Sequence, residues 1–228
     1  MKHLFSIVIL IFLSASALSQ EKSRPEQPDL PGELMIDFGF NMWDARPADL
    51  PGKFIGSHSF GIYYNNRVRF NDHISFHPGA GFTFDKYAFT GNYTWVSDLT
   101  NGVALDSMNA ILTKNKLAAS YFEVPLEFRI HPLGTVNGEG WFIGLGVIGG
   151  VRMNSHTKIK YKTTSDVKDK LYNNFDLNRI RYGYQIRFGF KTVHLFYKSY
   201  LSDLFNHAPD ASGISPKVTT IGITFSGF

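Results

Sequence analysis

The sequence has no cysteine. A disulfide framework, a thiolate metal cluster, a cysteine nucleophile and a lipoprotein cysteine at a signal cleavage site are therefore all excluded. After the first twenty residues no apolar run approaches the roughly 20 residues that a membrane-spanning helix needs. Charge of one sign is scarce too. In 228 residues, 23 Lys+Arg stand against 19 Asp+Glu, a net of +4, and no Lys/Arg block is as long as five. That balance gives no footing for nucleic acid as a partner. Abundant instead are phenylalanine and glycine, 21 of each, and the rings exceed what a soluble domain of this size needs.

Met1-Lys2-His3 is a short positive start, Leu4 to Leu13 is apolar, and Ser14 to Ser19 is made of small residues plus Leu18. This is the pattern of a secretory signal peptide over residues 1–19. Ala17 and Ser19 place the cut after Ser19, leaving Gln20 as the mature N-terminus. Residues 20–33 are rich in proline and poor in apolar side chains, so they read as an unstructured periplasmic leader.

From Leu34 to Phe228 the dominant signal is period two, which a half-buried strand produces because successive side chains point to opposite faces. Eight segments show it, at 34–42, 57–70, 73–85, 121–130, 141–152, 179–190, 192–201 and 220–226. In the first, Leu34, Ile36, Phe38, Phe40 and Met42 alternate with Met35, Asp37, Gly39 and Asn41. Period two alone does not say whether the apolar face looks into a core or into lipid, so volume decides. The interior of an eight-stranded barrel is only just filled by side chains, and it cannot hold the rings on the apolar faces. The opposite faces carry many of the glycines together with Asp37, Arg67, Arg69, Asp85, Glu123, Glu127, Arg129, Arg152, Arg179, Arg181 and Arg187. Small residues make room there, and opposite charges can pair.

The expected fold is therefore all-β, an eight-stranded antiparallel up-and-down transmembrane β-barrel with its apolar face in lipid and its polar face inward. Connection lengths agree. They alternate long (43–54), short (71–72), very long (87–117), short (131–139), long (155–178), tight (191–192) and long (202–216), as in outer-membrane barrels with short periplasmic turns and longer extracellular loops. That order places both termini on the periplasmic side.

The signal peptide, the eight amphipathic strands and a chain ending in Phe228 together resemble the small outer-membrane β-barrel proteins of the Bacteroidetes, the PorT-like group. The nearest local matches are HPGAGF at 77–82 and YFEVPLEFRI at 121–130. The resemblance implies assembly by the outer-membrane barrel-insertion machinery, which reads a C-terminal strand ending in an aromatic residue. Here Ile221, Ile223 and Phe225 are out of phase with Phe228, so either Gly227 forms a bulge or the last residue turns inward. An association with secretion would rest on fold-level analogy.

Enzymatic signals are weak. The GxGxxG spacing in GLGVIGG at 144–150 lies inside a strand pattern, with no helix to receive a phosphate. Glu123 and Glu127 lie about 13 Å apart along one strand, too far for paired catalytic carboxylates. His73 and His77 are separated in the same way, and no cofactor or metal site is expected. Ser57, His58 and Asp44 form a conceivable nucleophilic set near the outer end of the first hairpin, the basis for an alternative as a lipid-modifying barrel enzyme. A second alternative reverses the faces and makes a soluble periplasmic barrel for an apolar ligand. The loop at 87–117 carries Tyr93, Trp95, Val96, Leu99, Met108, Ile111 and Leu112, an apolar content that suits packing over the barrel mouth or meeting an envelope protein partner. The TKIKYK run continues the fifth strand with a lysine face toward lipopolysaccharide phosphates, or forms an ordinary solvated hairpin. The main expectation is a non-enzymatic envelope component with a closed lumen, structural or partner-binding, surrounded by outer-membrane lipid and lipopolysaccharide.

Overall fold

The computed structural model describes residues 32–45, 51–96, 104–107, 112–136, 139–162, 166–208 and 215–227. The signal segment, its cleavage point, most of the leader, and Leu99, Met108, Ile111 and Phe228 lie outside these described residues. The described residues form twelve strands: β1 (Gly32–Trp43), β2 (His58–Asn66), β3 (Val68–Arg69), β4 (Ile74–Phe89), β5 (Tyr93–Val96), β6 (Ala104–Ser107), β7 (Leu112–Thr135), β8 (Glu139–Lys162), β9 (Asp166–Tyr172), β10 (Ile180–Phe190), β11 (Val193–Tyr200) and β12 (Val218–Ser226). The described residues contain no helix.

Eight of the strands close a ring in the order β1-β2-β4-β7-β8-β10-β11-β12, with β12 pairing back to β1 and every pairing antiparallel. Closure removes the unpaired edge that an open sheet would present. β3 continues the register of β2 on β4. β5 and β6 form a separate hairpin inside the long connection. β9 folds back on the part of β8 that rises above β10.

The ring strands follow the expected phase, but two of them run far past the expected segments at 121–130 and 141–152, and on β8 the extension through Lys162 is the strand continuation that the alternating TKIKYK run suggested. β7 and β8 have 24 residues each, about twice what a tilted strand needs to cross a membrane. The apolar periodicity ends at the lipid boundary, while the hydrogen-bonded ladder continues past it on polar residues. β1 also begins at Gly32, two residues before the expected start. On β8 the register passes from Asn154 opposite Ser120 to Arg152 opposite Tyr121, leaving Met153 without a partner. This is a β-bulge. At the end of β12, Gly227 has a φ of 87°, in the left-handed region that glycine enters without strain. The chain thus turns at the residue where the phase argument requires an irregularity.

The apolar face is outward on every ring strand. Phe84 and Phe128 are 51% exposed, Leu145 53% and Leu195 57%. Rings pack side by side across neighbouring strands, with Phe38 and Phe60 centroids 5.1 Å apart and Phe82 and Phe122 5.4 Å apart. A continuous apolar surface of this extent is at home in hydrocarbon, not in water. It is the reverse of the arrangement that a soluble barrel for an apolar ligand requires.

Candidate functional site: a sealed lumen

The interior is filled in layers. Nearest the termini, Arg129 bonds Glu127 at 2.6 Å and Glu33 at 3.1 Å, and its guanidinium lies 4.5 Å over the Phe142 ring. His77 meets Ser75 at 2.9 Å, and His194 meets the Lys191 carbonyl at 3.0 Å and Ser226 at 3.2 Å. In the next layer, Glu127 accepts from Gln185 at 2.7 Å and from Arg187 at 3.1 Å. Arg187 also reaches Asp37 at 3.4 Å and donates to Thr224. Asp37 accepts from Lys198 at 2.8 Å and from Thr224 at 2.6 Å.

One layer further, Glu123 accepts from Arg181 at 2.7 Å, Tyr200 at 2.7 Å and Tyr63 at 2.5 Å. Arg181 also donates to Asp85 at 2.5 Å and Thr83 at 2.6 Å, while its guanidinium lies 3.5 Å over the Tyr121 ring. Lys198 links the two layers by donating to the Tyr63 hydroxyl at 2.8 Å. Asn41 joins Asp85 to Thr220.

Above these layers the mouth is closed by an aromatic cap. Trp95, from the β5–β6 hairpin, stacks on Phe205 at 5.0 Å and packs against Trp43 at 6.2 Å and Phe89 at 5.8 Å. Leu117, Phe175, Leu177 and Val218 are buried with them. The long connection therefore does pack over the barrel mouth, through its described Trp95.

Room for the charges comes from glycine on the intervening strand. Gly150 stands between Glu123 and Arg181 in one register row, and a Cβ there would lie 2.9 Å from the Glu123 Cγ. Gly144 holds the corresponding position between Arg129 and Arg187, with a Cβ falling 2.8 Å from a Glu127 carboxylate oxygen. Side chains on β7 and β10 can thus meet across β8 because β8 presents nothing between them.

Of the lumen residues expected from sequence, Asp37, Asp85, Glu123, Glu127, Arg129, Arg181 and Arg187 are buried in this network. Arg67, Arg69, Arg152 and Arg179 are not. Arg67 donates to the Val136 carbonyl at the terminal end, and Arg69 pairs with Asp72 in solvent. Arg152 bonds Asn174 and Ser155 at the opposite rim, and Arg179 is exposed. All four keep the alternation but stand where the interior ends, so period two misassigns them. Lys198 and Tyr63 complete the network without having been singled out, although both sit on the inward phase of their strands.

Among the described residues the buried acids are Asp37, Asp85, Glu123 and Glu127 and the buried arginines and lysines Arg129, Arg181, Arg187 and Lys198, four of each. Buried ions persist when paired and hydrogen-bonded. The described residues hold no cluster of metal-ligating side chains. The set Ser57, His58 and Asp44 is not assembled. The Ser57 hydroxyl donates to the Lys53 carbonyl, Asp44 accepts from the Ala45 and Lys217 amides, and His58 faces Lys86.

A closed antiparallel ring with an apolar outside and a paired polar inside defines a transmembrane β-barrel. The family model of the outer membrane protein beta-barrel domain matches residues 20–205, and the chain belongs to that family. It is an outer-membrane β-barrel protein. Among solved structures it is similar to Ail, the attachment invasion locus protein of Yersinia pestis, in complex with the heparin analogue sucrose octasulfate. That likeness has 14% identity and a TM-score of 0.38, over 87% of this chain and 100% of that one. A likeness to the outer membrane phospholipase of Salmonella typhi, with bound calcium, has 10% identity and a TM-score of 0.23, over 90% of this chain and 94% of that one. No curated protein matches the sequence.

Proposed function

We propose that this protein is a sealed, non-enzymatic barrel of the outer membrane whose work is done by its surfaces, as a structural or partner-binding component of the envelope. The observation that carries this reading is the balanced lumen. Four carboxylates and four cations bond one another from wall to wall, and an eight-stranded wall leaves no bore beside them. Transport would require that network to come apart.

In this reading the termini are periplasmic, and the long connections with the β8–β9 hairpin face outward from the cell. Membership of the PorT-like group of Bacteroidetes barrels, assembly by the barrel-insertion machinery and a link to secretion are the finer parts of the proposal. Membership draws on the HPGAGF and YFEVPLEFRI segments, assembly on the group's C-terminal strand ending in an aromatic residue, and the link to secretion on fold-level analogy. The partner surface is the connection at 87–117. A photo-crosslinking residue at Asn92, which is exposed, tests it in intact cells. A discrete crosslinked envelope protein is expected, and crosslinks to lipid alone would overturn the partner-binding role. Purified protein in planar bilayers should show no stepwise conductance, and discrete channel openings would overturn the sealed lumen.

A further inference from the structure

Immediately above the row where Phe60 stands opposite Phe84, the outward face of β4, β7, β8 and β9 turns cationic. The next row runs Phe40, His58, Lys86, Ala118, His156 and Tyr172 across β1, β2, β4, β7, β8 and β9. The row beyond it places Lys116, Lys158 and Lys170 directly opposite one another on three adjacent strands, and the third places Lys114, Lys160 and Lys168 likewise. Like charges directly opposite in a sheet are destabilising. Here they recur in two consecutive rows, and among the described residues no carboxylate bonds Lys86, Lys114, Lys116, Lys158 or Lys170.

We infer that this lysine grid is a binding site for the phosphate groups of an outer-leaflet glycolipid, with the acyl chains lying down the phenylalanine belt beneath it. Three features favour such an occupant. The cations begin one residue row above the Phe60–Phe84 pair, where the apolar face of β4 and β7 ends. A cleft of about 490 Å³ opens there, lined by Phe60 and Phe84 below and by Lys86, His156, Lys170 and Tyr172 above, so a single ligand can meet both chemistries. The cations also disturb one another. Lys116 is held below its ordinary pKa by partial burial and then by Lys86, Lys114, Lys158 and Lys53, a repulsion that a bound anion would relieve. An anionic headgroup near several lysines gains a roughly additive attraction from each.

The inference rests on the proposed orientation, because only the end opposite the termini would meet the outer leaflet. The test uses full-length protein folded in neutral detergent and titrated with fluorescent bisphosphorylated lipid A. Dephosphorylated lipid A, inorganic phosphate and a sulfated oligosaccharide serve as competitors. K116Q/K158Q/K170Q should weaken lipid A binding about a hundredfold, while the boiling-dependent gel shift shows that the barrel still folds. Unlabelled bisphosphorylated lipid A should compete well and the other three poorly. Unchanged affinity in the triple variant, or equal competition by dephosphorylated lipid, would overturn the site. Tighter competition by the sulfated oligosaccharide would assign the grid to a soluble polyanion and also overturn it. Orientation is read separately. K168C supplies the chain's sole cysteine, and a membrane-impermeant maleimide should label it on intact cells. Absence of labelling would sink the orientation, whereas labelling with unchanged lipid A affinity would sink the grid alone.

Discussion

Glu123 and Arg181 meet at 2.7 Å across a strand that lies between them, because the residue separating them in the register row is Gly150. Both are buried, so neither can exchange its partner for water. Removing Glu123 leaves Arg181 with Asp85 as its one carboxylate partner and leaves the Tyr63 and Tyr200 hydroxyls without their acceptor. Glu123→Ala should therefore cost about 3–5 kcal/mol, read as a shift in urea unfolding from vesicles. Gly150→Val should damage the same pair from the other side, since its Cβ falls within 2.9 Å of the Glu123 Cγ. If either variant unfolds like the wild type, the pair is not what the lumen depends on.

The outward apolar face predicts a cost that depends on depth. Leu126, in the middle of β7 with Val147 opposite on β8, should tolerate arginine poorly, losing about 2–4 kcal/mol in bilayers. Thr113, beyond the belt and exposed, should accept arginine with little change. Equal tolerance at both positions would contradict the lipid-facing assignment.

Trp95 closes the mouth through contacts with Trp43, Phe89 and Phe205. Trp95→Ala opens a cavity in that cap and should cost about 3–5 kcal/mol. The variant barrel should still insert, because the ring strands and the lumen network are intact. Loss of insertion would mean that the cap forms before the ring closes.

His58 and His156 stand on the outward face above the belt. Burial comes first in holding both below histidine's ordinary pKa of 6.5, followed by Lys86 and Lys116 at His58 and by Lys170, Lys158 and Lys86 at His156. Gly56 and Asp85 act weakly in the opposite sense at His58. The unfolded chain takes up protons at these sites more readily than the folded one. Stability in neutral vesicles should therefore fall as pH drops below 6.5 toward the lowered folded values. H58Q/H156Q should flatten that fall. An unchanged slope in the double variant would place the titration elsewhere.

The ring, its eight strands and the direction each face points were legible because lipid and lumen impose opposite chemistry on alternate residues. The pairing of charges was not. Period two states that Glu123 and Arg181 both point inward, but the register between strands decides that they meet, and hydrophobicity along one strand does not encode it. Arg67, Arg69 and Arg152 show the limit of the same signal, which continues past both ends of the interior. The length of β7 was hidden for a related reason, whereas the alternation of TKIKYK already suggested that β8 continues. Lys114 and Lys116 read as loop chemistry although their backbones stay in the ladder.

Met153 works on β8 as a frame shift works on a reading frame. Below it, even-numbered residues such as Phe142 and Ile148 face the interior; above it, the buried positions are Ser155 and Thr157. One supernumerary residue thus lets the strand change the parity of its code as it leaves the membrane, so that the stretch inside the lipid and the stretch outside can be revised independently. Deleting Met153 should therefore set Arg152 and Asn154 side by side opposite Tyr121 and Ser120, closing the bulge with Lys158 and Lys160 still facing outward.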